Sequence, residues 1–130
     1  MPIRRFIITL IAVMAIGCLG AASAQAASIG GTNCSITANF PGSGNGWWQG
    51  QAVMNCSLPH SDTVEVCVQD EQGSTWHNYA CNTQSGYDSY RKVTKNFYPN
   101  SVSNRNWRIW AWANVGGGHS GYTWSGSRYL

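Results

Sequence analysis

Arg108, Trp110 and Trp112 occupy alternate positions in the sequence, so a β-strand here would present one guanidinium and two indoles on the same face. The intervening positions, which begin with Trp107 and Ile109, are apolar and predict the side of the strand that faces a core. Large aromatic side chains beside an arginine are typical of interaction surfaces. We therefore expect Trp110 and Trp112 to be at least partly exposed and to form the centre of a binding face.

Further aromatic pairs flank this segment. Tyr122 and Trp124 would extend the same face if the last two strands pair as a hairpin, whereas Trp47 and Trp48 form a second cluster beside a glycine-rich loop. Planar rings near Asn and Gln suit stacking against sugars, and rings near Arg also suit contacts with proteins. The alternative is that these rings only fill the core of a small domain.

The histidines and acidic residues do not form a recognisable catalytic motif. His60, His77 and His119 are not part of a G-x-S-x-G or H-E-x-x-H pattern. Glu65 and Asp70 lie at an odd separation on one predicted strand, which places them on opposite faces. We assign no catalytic residue and no cofactor, and a small extracellular hydrolase is the alternative.

Four cysteines, Cys34, Cys56, Cys67 and Cys81, follow an N-terminal export signal and suggest disulfide chemistry. A four-cysteine zinc site would need close pairs such as C-x₂-C, which this spacing does not provide. No metal site is therefore predicted. If all four cysteines are bridged, none of them is left as a thiol nucleophile.

Side-chain alternation selects one of the three possible connectivities. The valines on either side of Cys67 should face the core, so Cys67 faces outward, as does Cys81 on the next strand. Cys34 and Cys56 share their faces with apolar residues and are predicted to point inward. Pairing inward with inward and outward with outward gives Cys34–Cys56 and Cys67–Cys81.

Short strand-like segments separated by turns predict an all-β chain. The pattern is typical of a small, disulfide-stapled antiparallel β-sandwich of about seven short strands. The architecture is immunoglobulin-like only in the broad sense, because both favoured bridges join neighbouring segments, not distant strands. The predicted strands cover residues 32–39, 51–58, 63–69, 75–83, 89–98, 106–115 and 120–127.

The N-terminus has the three parts of a signal peptide. Arg4 and Arg5 precede the apolar segment 6–17, and Ala24-Gln25-Ala26 is a small-x-small cleavage site. We expect residues 1–26 to be removed, with cleavage after Ala24 as an alternative, leaving 27–130 as a single secreted domain without a transmembrane segment. A lipoprotein attached through Cys18 is a minor alternative.

Charge does not favour nucleic acid as a partner. The whole chain carries +3, but two of its basic residues lie in the predicted signal, so six basic residues oppose five acidic ones in the mature chain and leave +1. We expect a monomeric, non-catalytic protein, extracellular or periplasmic, that binds a glycan, a cell-envelope component or an extracellular protein. The alternative is an exported inhibitor or toxin that acts on another protein.

Overall fold

The computed structural model describes residues 22–43, 46–99 and 104–130. Within these ranges the chain forms one antiparallel sheet of seven strands, and no helix there is long and apolar enough to cross a membrane. The strands are β1 (Ala22–Ile29), β2 (Cys34–Ser43), β3 (Trp48–Gln72), β4 (Thr75–Phe97), β5 (Asn106–Asn114), β6 (Ser120–Trp124) and β7 (Arg128–Tyr129).

The two longest strands, β3 and β4, pair as a hairpin that runs through the whole fold. Its register is interrupted where β3 advances from Asn55 to His60 while β4 moves only from Tyr90 to Asp88. The extra residues in β3 include Pro59, which has no N–H to contribute to a ladder and is tolerated at such a bulge. The sequence predicted four short strands in this region, 51–58, 63–69, 75–83 and 89–98. The structure instead has two long strands, and β3 carries the bulge.

The bulge divides the sheet into two halves. We call β1, β2 and residues 48–55 and 90–97 of the hairpin the first half-sheet. Residues 60–72 and 75–88, together with β5 and β6, form the second half-sheet. The short strand β7 pairs with the start of β5.

The core lies between the inner faces of the two halves. In β5 buried and half-buried residues alternate strictly, which is the pattern of a strand with one face on a core. The largest fully buried side chain is Trp107, and Phe97 and Phe40 pack near it. The first half-sheet contributes Ile29, Ile36, Ala38, Phe40, Ala52, Met54, Val93 and Phe97, and the second contributes Val64, Val66, Val68, Trp107, Ile109, Ala111 and Ala113.

The sheet nearly closes on itself because β1 lies against the segment that contains β6. The backbone N–H of Gly126 donates a hydrogen bond of 2.9 Å to the carbonyl of Ser23. A Cβ atom at Gly121 would lie 3.1 Å from a side-chain carbon of Ile29, so glycine permits this close approach.

The disulfides and the fold class predicted from the sequence are confirmed. Cys34–Cys56 joins β2 to β3 inside the core, and Cys67–Cys81 joins β3 to β4 on the outer side. Strand β1 was not predicted. Most of the predicted signal, including Cys18, lies outside the described residues, but its last residues, from Ala22 to Ala26, belong to β1.

Candidate functional site

The outer face of the second half-sheet carries a row of aromatic side chains. On β5, Trp110 lies opposite Cys67 of β3 and opposite Trp124 of β6. Trp112 lies opposite Tyr122 of β6 in the same way. The β5–β6 hairpin therefore brings together on one face the four rings that alternation and pairing had suggested.

These rings reach solvent to different degrees. Tyr122 is 55% exposed and Trp124 is 38% exposed, whereas Trp110 and Trp112 are half-buried. The rings of Tyr122 and Trp124 meet edge to face, with centroids 5.2 Å apart and planes at 74°. The surface is thus a packed aromatic patch and not a flat row of coplanar rings.

Arg108 lies between two indoles of this face. Its guanidinium carbon is 4.3 Å from the centroid of the Trp76 ring and 4.9 Å from that of Trp124. Its Nε donates a hydrogen bond of 2.7 Å to the side-chain oxygen of Gln69. These contacts hold the arginine in a fixed position before any ligand arrives.

Two features of its surroundings act in opposite directions on the pKa of Arg108. Burial lowers the pKa of Arg108, and the nearby carboxylate of Glu71 acts in the opposite direction. An arginine remains protonated at neutral pH despite such a shift. The face therefore carries a fixed cation, close to an acidic residue, between aromatic rings.

Trp76 lies on the outer face, although alternation from Cys81, which is five residues away and was predicted to face outward, would place it on the core side. A second bulge lies in β4, where Val68 pairs with Ala80 but Gln69 pairs with Asn78, so Tyr79 is an extra residue. One extra residue reverses the alternation beyond it, which turns Trp76 to the outer face.

A disulfide lies beside this patch on the same face of the sheet. Cys67 is fully buried although it points away from the core, because the outer-face side chains cover it. Its bridge to Cys81, which is exposed, ties β3 to β4 beside the aromatic residues. We use the name aromatic face for Trp76, Arg108, Trp110, Trp112, Tyr122 and Trp124.

Trp47 and Trp48 do not belong to the aromatic face, and they do not act as one cluster. Trp48 packs against the core and Phe40, with ring centroids 5.7 Å apart, and Arg128 lies 4.5 Å above its ring. Trp47 instead lines a surface pocket on the outer side of the first half-sheet, with Pro41, Gly42, Gln49 and Gln51.

A second pocket, of about 400 Å³, lies where the β1–β2 and β5–β6 loops meet the β3 bulge. It is lined in part by His60, His119 and Leu58. The ring of His119 is held in place, since its Nδ1 lies 3.1 Å from the carbonyl oxygen of Gly30. The sequence alone placed His119 in no catalytic motif and did not indicate this pocket.

Residues of metal-ligand type also meet near this pocket. A nitrogen of His60 and the sulfurs of Cys34 and Cys56 lie within 4.8 Å of one another. Both sulfurs are consumed by their disulfide, so this group does not offer thiolate ligands.

No protein-family model matches this sequence, and the comparison with curated proteins finds no match either. The aromatic face is therefore the feature from which a function has to be argued.

Proposed function

We propose that this protein is a secreted, non-catalytic binding protein that recognises a glycan of an extracellular or cell-envelope surface through its aromatic face. The observation that carries this proposal is the position of Arg108 between Trp76 and Trp124, beside Trp110, Trp112 and Tyr122. Indole rings stack on the apolar faces of sugar rings, and the adjacent polar groups bind hydroxyls.

Preorganisation supports a binding role. The rings are packed against one another and against the arginine, so little side-chain entropy is lost when a ligand binds. The paired strands β3, β5 and β6 hold the face, and the Cys67–Cys81 bridge ties β3 to β4 beside it. A rigid sheet presents such groups more accurately than a loop does.

The two disulfides are compatible with an oxidising compartment outside the cytoplasm, as the predicted export signal requires. We include export in the proposal for that reason. Binding to a surface polymer would then hold the small domain close to an envelope or a matrix.

A protein target is the second candidate, and one observation favours it. Leu58 is 64% exposed on the β3 bulge, which the Cys34–Cys56 bridge holds in place. An apolar side chain on a constrained protrusion can fill a pocket of another protein, although leucine is less frequent than Trp, Tyr or Arg among such anchors. This is the arrangement expected of an exported inhibitor or toxin.

A glycan array, followed by pull-down on insoluble polysaccharides, tests the proposal. We expect Trp112→Ala and Trp124→Ala each to weaken binding about 30-fold, which corresponds to about 2 kcal/mol for a central aromatic contact. Tyr87→Ala is the matched control, because Tyr87 is an exposed aromatic residue, at 71%, outside the aromatic face.

Three results would count against the proposal. Unchanged glycan binding by both tryptophan variants would remove the aromatic face as the site. Hydrolysis of a bound oligosaccharide would contradict the non-catalytic role. Capture of a protein that is lost in Leu58→Ala, with no glycan retained by the wild type, would favour the second candidate.

A further inference from the structure

The outer face of the first half-sheet carries a hydrogen-bonded relay of side-chain amides. The Nε2 of Gln51 donates to the Oε1 of Gln49 at 2.7 Å, and the Nε2 of Gln49 donates to the Oδ1 of Asn96 at 3.0 Å. Gln49 and Asn96 are directly opposite each other on β3 and β4. Each bond fixes the orientation of the next amide along the row.

Each end of the relay presents one polar atom to which a ligand could bind. Among the described residues, the Oε1 of Gln51 and the Nδ2 of Asn96 have no hydrogen-bond partner, so the row ends in an acceptor at one side and a donor at the other. A sugar hydroxyl can donate to such an acceptor and accept from such a donor. Neither end carries a charge.

An indole stands beside the relay. Trp47, Gln49 and Gln51 line a pocket of about 320 Å³ together with Pro41 and Gly42. This volume lies at the lower end of the range of about 300–1,000 Å³ that is typical of ligand pockets. A single aromatic ring beside oriented, uncharged amides suits one face of a neutral sugar.

This surface is separate from the aromatic face. It belongs to the first half-sheet, whereas the aromatic face belongs to the second, and the core lies between their inner sides. Side chains that point away from that core on the two halves therefore face different directions. One ligand chain bound at each surface would not compete with the other for space.

We propose that Trp47, Gln49, Gln51 and Asn96, which we call the amide face, form a second site for a neutral glycan, so that one chain of this protein cross-links two glycan segments. The inference rests on the proposed function, because it takes the aromatic face as the first glycan site. Two sites on different sides of a rigid domain favour bridging between polymers, and the bridge strengthens attachment to a polysaccharide surface through multivalency.

Calorimetric titration of the mature domain tests the number of sites. The probes are the soluble hexasaccharides of β-linked glucose, N-acetylglucosamine and mannose. For a hexasaccharide that binds, we expect about two molecules per chain in the wild type, and about one in Trp47→Ala and in Trp112→Ala. Tyr87→Ala is the control and should keep both sites, and circular dichroism checks that each variant is folded.

A second measurement follows cross-linking directly. The wild type should raise the turbidity of a soluble polysaccharide made of the same sugar, and either single-site variant should lose at least about tenfold of that effect. Gln51→Ala should weaken only the amide face, since it removes one end of the relay and leaves the Trp47 ring in place.

The outcomes separate this inference from the proposed function. One site per chain, lost in Trp112→Ala and unchanged in Trp47→Ala, overturns the amide face and leaves the aromatic face standing. Binding that is lost only in Trp47→Ala overturns the aromatic face and leaves the amide face. Failure of all three hexasaccharides to bind overturns the inference, while the wider glycan array decides the proposed function.

Discussion

The side-chain amide of Asn82 donates a hydrogen bond of 3.0 Å to the backbone carbonyl of Thr94, twelve residues further along the same strand. A straight strand would hold these residues far apart, so the contact shows how strongly β4 bends. Among the described strands β4 pairs only with β3, so the contact joins the two halves of β4 across the open side of the sheet.

Asn82→Ala should loosen this open side. We expect a loss of about 0.5–1.5 kcal/mol in the free energy of unfolding, and faster amide hydrogen exchange near Thr94 than elsewhere in β4. Gln84→Ala, at an exposed position on the same strand, is the control. Equal exchange rates at Thr94 in the variant and the wild type would show that the bond does not hold the edge.

Trp107 and Trp112 should respond very differently to truncation, although they lie on the same strand. Trp107 is fully buried, so Trp107→Ala should cost about 3–5 kcal/mol. Trp112 lies half-buried on the outer face, so Trp112→Ala should cost at most about 1 kcal/mol. Denaturant midpoints measure both, and equal losses would mean that the outer face behaves as a second core.

Gly31 and Gly118 offer a matched test of how His119 is held. Both have positive φ, at 75° and 77°, but a Cβ at Gly31 would lie 2.9 Å from the His119 ring, whereas nothing lies within 4 Å at Gly118. Gly118→Ala should cost about 1–2 kcal/mol from the backbone alone, and Gly31→Ala should cost more. In a His119→Ala background, Gly31→Ala should cost no more than Gly118→Ala costs in the wild type. Thermal unfolding measures these losses. If Gly31→Ala costs the same with and without the His119 ring, the ring moves aside without a loss of stability.

The Asp62 carboxylate depends on Arg91. The Asp62 side chain has no exposed surface, and Arg91 binds both Asp62 and Asp88. Arg91→Met should cost about 3–5 kcal/mol, because it leaves a buried charge without its partner. Lys92→Met, at the exposed neighbouring position, should change stability by about 0.5 kcal/mol or less.

The contribution of Arg91 should not vary with pH near neutrality. The hydrogen bond to Asp62 raises the pKa of Arg91, so this stabilisation is fully present below the ordinary arginine range and is lost only above the raised value. We therefore expect the free energy of unfolding of the wild type to show no slope that comes from Arg91 between about pH 6 and pH 9. A slope within that interval would show that another group titrates with this pair.

The alternation of β5 was sufficient to predict its two faces, and parity was sufficient to predict both disulfides. The same reasoning failed at Trp76, because Tyr79 adds one residue to β4 and nothing in the local sequence marks that bulge. The amide relay was equally hidden, since Gln49 and Asn96 meet only through the register of two long strands. Alternation within one strand is local information, whereas bulges and register depend on the partner strand.

The contact between β1 and the segment that contains β6 has a consequence for the timing of folding. If the chain is exported with its N-terminus first, β1 and β2 emerge long before Gly121 of β6 is available to meet Ile29 of β1. During that interval the N-terminal strands keep unpaired edges, which can pair with other chains. Contacts between residues so distant in sequence also close slowly. We expect the completion of the sheet to be a late and slow step of folding, and the stage at which the protein most needs protection from aggregation.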